Sequence, residues 1–151
     1  MTPIKTIAVG FDGSMNSQAA VTWASHLASA LGAHLKVVHA VGLLEHAGQS
    51  RHTAARSEDG RALALAAGLL SSQVEWLAVD GDPLSALLRM TEAPHSVDLL
   101  VVGSRGAGQH SGTLLGSTSL ELVEHSGVAV AVIPQGGPRD DSELGAPSRS
   151  E

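Results

Sequence analysis

The residues best placed to do chemistry lie between Leu99 and Ser119. There a short apolar run, Leu99-Leu-Val-Val102, breaks at Gly103 and is followed by glycines and hydroxyls with the spacing Gly103-x2-Gly106-x9-Gly116-Ser117. Gly103, Gly106 and Gly108 let backbone N–H groups come close to an anion. Beyond them Gly116-Ser117-Thr118-Ser119 leads into the helical pattern Leu120-Glu-Leu-Val-Glu-His125. The first turn of such a helix offers unpaired N–H donors and the positive end of its dipole. Ser117 and Thr118 add hydroxyls, and Arg105 is the one cation of the glycine loop. The chemistry this combination suits is the holding of phosphate. The spacing is neither that of the dinucleotide fingerprint nor that of the P-loop, since no Gly-Lys-Ser/Thr occurs. A plainer reading stays open at each position: the glycines as a strand-to-helix turn, Ser117 and Thr118 as helix caps, and Arg105 as a solvated side chain.

An alternation of strand and helix patterns must position this loop. Ile4–Gly10 is a short apolar run bounded by Asp12-Gly13, hence a buried strand. Apolar residues at helical spacing (Ala19, Ala20, Trp23, Ala24, Leu27, Ala30, Leu31) predict a helix over Met15–Leu31, stopped by Gly32. His34–Ala40 and Val74–Val79 read as strands, with a loop over Val41–Ser50 and a helix over Arg51–Leu70 between them. Asp82-Pro83 is a favoured helix start, and the helix it opens is expected to reach Glu92, ahead of Pro94. Leu99–Val102, a helix over Ser117–Ser126 and a strand over Val128–Ile133 complete the series. Such alternation predicts an α/β fold, a single doubly wound five-stranded parallel sheet with helices on both faces. Ligands of such sheets sit at the carboxyl ends of the strands, where the strand order switches. Gly10, Phe11, Asp12, Ala40, Val102 and Gly103 all fall at those ends.

Composition narrows the function classes. The chain has 151 residues, 43% of them hydrophobic, enough for one domain with a sizeable core. Phe11, Trp23 and Trp76 are its only Phe, Trp or Tyr residues, which argues against a base-stacking surface for single strands. A net charge of −6, with Lys5 and Lys36 the only lysines, provides no basic footprint for nucleic acid or an anionic membrane. The absence of cysteine excludes disulfides, thiolate zinc sites and cysteine nucleophiles. The eight histidines show neither an H-x3-H pair nor H-E-x-x-H, so no dedicated metal site is expected. No apolar run approaches the roughly 18 residues of a membrane span, and the amino terminus has no signal-peptide pattern, so a cytoplasmic protein is the expectation. Residues 135–151 carry almost no apolar side chains and are expected to be a disordered tail behind a domain over 1–134.

The glycine spacing G-x2-G-x9-G-S/T resembles the nucleotide-binding signature of the universal stress protein family. Ile7-Ala-Val-Gly-Phe-Asp12-Gly-Ser14 and Ser17-Gln-Ala-Ala-Val-Thr-Trp23 resemble that family's first strand and helix, and Gly81-Asp-Pro83 and Asp98-Leu-Leu-Val-Val-Gly-Ser-Arg-Gly106 match it further on. The resemblance runs from about Ile4 to Pro134 and implies a Rossmann-like nucleotide-binding domain. It implies ATP, with Mg²⁺ riding on the phosphates, as the ligand. It places Gly10, Phe11 and Asp12 on the adenosine side and Ala40 and Val102 against the adenine. Read alone, Asp12 serves equally as a turn former and helix cap, and Ala40 and Val102 equally as core residues. It implies a homodimer in which the last strands, Val128–Ile133, pair antiparallel; that strand contains no charge and no proline. Two departures stand out: Gly108-Gln109-His110 where many members have Gly-Gly-Phe, and Ala129 where a proline is usual. Asp12 or His110 could orient a water on the terminal phosphate, but no paired carboxylates or P-loop lysine support phosphoryl transfer, so slow hydrolysis at most is expected. The functional expectation is a nucleotide-dependent sensor or switch for a protein partner yet to be identified, with ATP ordering the glycine loop. A nucleotide-free dimeric scaffold and a slow ATP hydrolase are the alternatives.

Overall fold

A computed structural model of the chain describes residues 3–41, 59–104 and 116–134. The alternation expected from the sequence is present. Strands β1 (Thr6–Gly10), β2 (His34–Val41), β3 (Val74–Asp80), β4 (Leu99–Gly103) and β5 (Ala129–Ile133) are linked through helices α1 (Met15–Leu31), α3 (Pro83–Arg89) and α4 (Ser117–His125). A further helix, α2, is described over 59–66. All strand pairs are parallel, in the order β3-β2-β1-β4-β5. The chain runs outward from β1 to β2 and β3, then returns to the other side of β1 for β4 and β5. The strand order therefore switches between β1 and β4.

Central strands buried on both faces read as continuous apolar runs, and β1 and β4 do so. Ile7, Val9, Leu35, Val37 and Val101 form one core with Ala20, Val21, Ala24 and Ala28 of α1 and Ala64 of α2. Ala8, Val38, Leu100 and Val102 form the other with Ala86 and Leu87 of α3, Met90, and Leu122 of α4. At the sheet edge the side chains of β5 alternate: Val130 and Val132 pack on the α3/α4 side, Ala131 and Ile133 on the α1/α2 side.

Three expectations need correction. The buried stripe of α1 is narrower than its apolar residues suggested: Trp23 and Leu31 remain 41% and 50% exposed. Small side chains bring the helix close to the sheet, and the larger ones lie on its flank. α2 ends at 66, not at Leu70, because Gly68 turns left-handed (φ +97°) and donates to the Leu65 carbonyl, while the Leu69 N–H closes on Ala64. The part of that expected helix over 51–58 lies outside the described residues. α3 ends at Arg89 instead of Glu92 because the chain tightens there. The N–H groups of Met90, Thr91 and Glu92 donate to carbonyls three residues back, and the Thr91 hydroxyl donates to Leu88.

Candidate functional site

At the switch point a cleft of about 210 Å³ opens over the carboxyl ends of β1, β2 and β4, with the starts of α1, α3 and α4 around it. Nine of the twelve candidate residues line it: Gly10, Phe11, Asp12, Ala40, Val102, Gly103, Gly116, Ser117 and Thr118. The other three, Arg105, Gly106 and Gly108, lie outside the described residues, as does His110. The cleft has two chemically distinct sides. Val38, Ala40, Pro83, Ala86, Leu87 and Val102 form an apolar side, built from β2, α3 and β4. Asp12, Ser14, Ser17, Ser117, Thr118 and Ser119 form a polar side, built from the starts of α1 and α4.

On the polar side the two helix starts differ. At α1 the Ser14 hydroxyl accepts from the Ser17 N–H (3.2 Å), and the Ser17 hydroxyl donates back to the Ser14 carbonyl (2.9 Å). The Asp12 carboxylate accepts from the Ser14 N–H at 2.9 Å, so Asp12 has the turn-forming role that its Asp-Gly-Ser context allows. At α4 the cap residue is Gly116, which has no side chain to accept from the first turn. Gly116 is itself fixed, donating to the Ser104 carbonyl at 2.6 Å, and the Ser119 hydroxyl donates to the Gly103 carbonyl at 2.9 Å. Ser117 is exposed and Thr118 half-buried at this open end.

Gly103 has a packing reason of its own. A Cβ there would stand 2.8 Å from both the carbonyl carbon and the carbonyl oxygen of Asn16, so only glycine lets β4 meet the first turn of α1. At α3 the Ser85 hydroxyl and N–H donate to the Asp82 carboxylate and hold its pKa below the ordinary 3.8. Among the described residues no group of three or more His, Asp or Glu side chains could hold a metal ion, and no helix is long and apolar enough to cross a membrane.

Several cleft residues were absent from the sequence expectations. Val38 shares a face with Ala40 two residues on, a signal that strand periodicity carries. His39 is buried within an otherwise apolar stretch of β2, where a lone imidazole is itself a signal. Pro83, Ala86 and Leu87 reach the cleft because of where α3 packs, which no local pattern reveals.

The model of the universal stress protein family matches residues 3–134. The chain belongs to this family. It is 30% identical to a universal stress protein of Mycobacterium tuberculosis over 85% of its own length and 48% of that relative. It thus spans about half the length of the mycobacterial relatives it matches. A Thermus aquaticus universal stress protein is 31% identical, over 85% of this chain and 98% of that one. Among solved structures, a universal stress protein in complex with cAMP is 30% identical, covers 89% of this chain and 100% of its own, and superposes with a TM-score of 0.74. The parallel five-stranded sheet is that of the family.

Proposed function

We propose that this universal stress protein domain binds ATP, with Mg²⁺ on the phosphates, and acts as a nucleotide-dependent sensor or switch. The observation that carries the reading is the two-sided cleft at the strand switch. An apolar pocket for a flat base (Val38, Ala40, Leu87, Val102) faces a helix start whose cap is a glycine. The donor set fits the group: first-turn amides behind a glycine cap, with Ser117 and Thr118, suit an anion, and small apolar walls suit adenine. Mg²⁺ would be held mainly by phosphate and water. In this reading the cleft holds nucleotide and changes the surface offered to a protein partner, and two copies pair through the edge strand β5. Calorimetric titration with ATP, with and without Mg²⁺, tests it, together with mass spectrometry of small molecules released on denaturation. Saturable binding or retained ATP supports the reading. No binding in either condition overturns it and favours a nucleotide-free dimeric scaffold.

The cAMP complex of a 30%-identical relative favours a second reading, in which the cleft takes a cyclic adenine nucleotide. Competition separates the two: ATP displaced by equimolar cAMP makes the cyclic nucleotide the preferred ligand.

A further inference from the structure

His39 is a buried polar side chain, 3% exposed, flanked in β2 by the apolar Val37, Val38, Ala40 and Val41. Burying an imidazole is unfavourable unless it is hydrogen-bonded, and a valine would suit the core better. Its Nδ1 lies 3.0 Å from the Phe11 carbonyl oxygen. A carbonyl only accepts, so Nδ1 carries the hydrogen and donates it.

The place of that bond gives it consequence. The β1–β2 ladder continues past Gly10 as far as the Phe11 N–H, which donates to the Val38 carbonyl at 2.9 Å. A continued parallel ladder would present the Phe11 carbonyl to the backbone of Ala40. The imidazole takes that carbonyl instead. The N–H of the same peptide, that of Asp12, donates to the Ser17 hydroxyl at 3.3 Å. The Phe11–Asp12 peptide is therefore held by a side chain at each end, where β1 leaves the sheet and becomes a wall of the cleft. His39 is itself held in place. It stacks on Trp76 (centroids 6.0 Å, 28° between planes), and Phe11 meets Trp76 edge-on at 5.8 Å. Gly60 of α2 leaves room for that indole: a Cβ there would stand 2.8 Å from the ring.

We infer that His39 is a positioning residue for the nucleotide site, orienting the Phe11–Asp12 peptide through its Nδ1–H. This rests on the adenine-nucleotide reading above. His39→Leu removes the donor at similar bulk. His39→Asn restores a donor near the position of Nδ1. Each is titrated with ATP by calorimetry and melted in parallel with the wild type. The expected result is about a tenfold loss of affinity in His39→Leu, the scale of one hydrogen bond. His39→Asn is expected to recover to within about threefold of the wild type on the same scale. Melting temperatures corrected for bound ligand show that both variants are folded. A merely structural histidine predicts that affinity follows melting temperature and not the presence of a donor. Wild-type affinity in His39→Leu, or equal weakness in both folded variants, overturns the inference while leaving ATP binding intact. A wild-type protein that takes up neither ATP nor cAMP overturns the reading itself and the role of His39 with it.

Discussion

The starts of α1 and α4 flank the same cleft and are built in opposite ways. α1 is closed: Asp12, Ser14 and Ser17 satisfy one another and the backbone around the first turn. Among the described residues α4 is open: a glycine stands where a hydroxyl or carboxylate would accept from the first-turn amides. Both segments are rich in serine, although only Ser117 and Thr118 of α4 read from sequence as caps or as phosphate ligands. In the proposed nucleotide reading, hydroxyl content alone does not tell the two helix starts apart. What distinguishes α4 as the anion end in that reading is its glycine cap, because a side-chain acceptor and a phosphate oxygen compete for the same donors.

The comparison breaks most directly at Gly116. Its backbone (φ −70°, ψ 160°) suits any residue, so Gly116→Asp supplies α4 with the acceptor it lacks. ATP affinity is expected to fall by about 100-fold or more, roughly 2.7 kcal/mol, with the melting temperature unchanged or slightly raised. Undiminished binding would place the phosphates away from α4. Gly103→Ala has the opposite signature. Its Cβ would collide with the Asn16 backbone, and overpacking of that kind costs about 1–3 kcal/mol. The loss is to be read in urea melts of the ligand-free protein. Two glycines of one motif would then have separable roles: one lets a helix approach the sheet, the other leaves a helix end open.

Features fixed by neighbours in sequence were legible in advance; features fixed by packing were not. The bounds of α1 match because both signals are local, the Ser14 cap and the left-handed Gly32. The strand ends bearing Gly10, Ala40 and Val102 followed from apolar runs, and their meeting at one cleft followed from the topology of an alternating chain. Leu87 and Ala86 were not legible, since they reach the cleft only through the seating of α3. Trp23 misled because an apolar residue at helical spacing need not be the one that touches the sheet when smaller ones allow closer approach. His39 needed the Phe11 carbonyl beside it, a contact between residues 28 apart in the chain.

A milder test lies at α1. Ser14→Ala removes the acceptor for the Ser17 N–H and should cost about 1 kcal/mol of stability. If α1 is the closed end, ATP affinity changes by no more than about threefold, under 0.7 kcal/mol. A loss as large as that of Gly116→Asp would make α1, not α4, the phosphate end.

The smallest effect belongs to α3, the third helix start at the cleft. Asp82 caps it, with Pro83 in the first turn, and its Oδ2 accepts from the Ser85 hydroxyl and N–H at 3.1 and 3.3 Å. These bonds favour the ionised carboxylate, so the folded-state pKa lies below the ordinary 3.8. Folding therefore binds fewer protons at this group than the unfolded chain does. Its contribution is full above 3.8 and fades as the pH falls through the lowered folded-state value. The side chain is exposed, so Asp82→Ala should cost no more than about 1 kcal/mol at neutral pH. Thermal melts from pH 7 downward should show the gap between wild type and Asp82→Ala narrowing only below pH 3.8, while the gap between Asp82→Asn and Asp82→Ala, neither of which titrates at this position, stays constant. A wild-type gap that stays constant would mean that the α3 cap works without its charge. Electrostatics at this end would then be no guide to the anion preference proposed for α4.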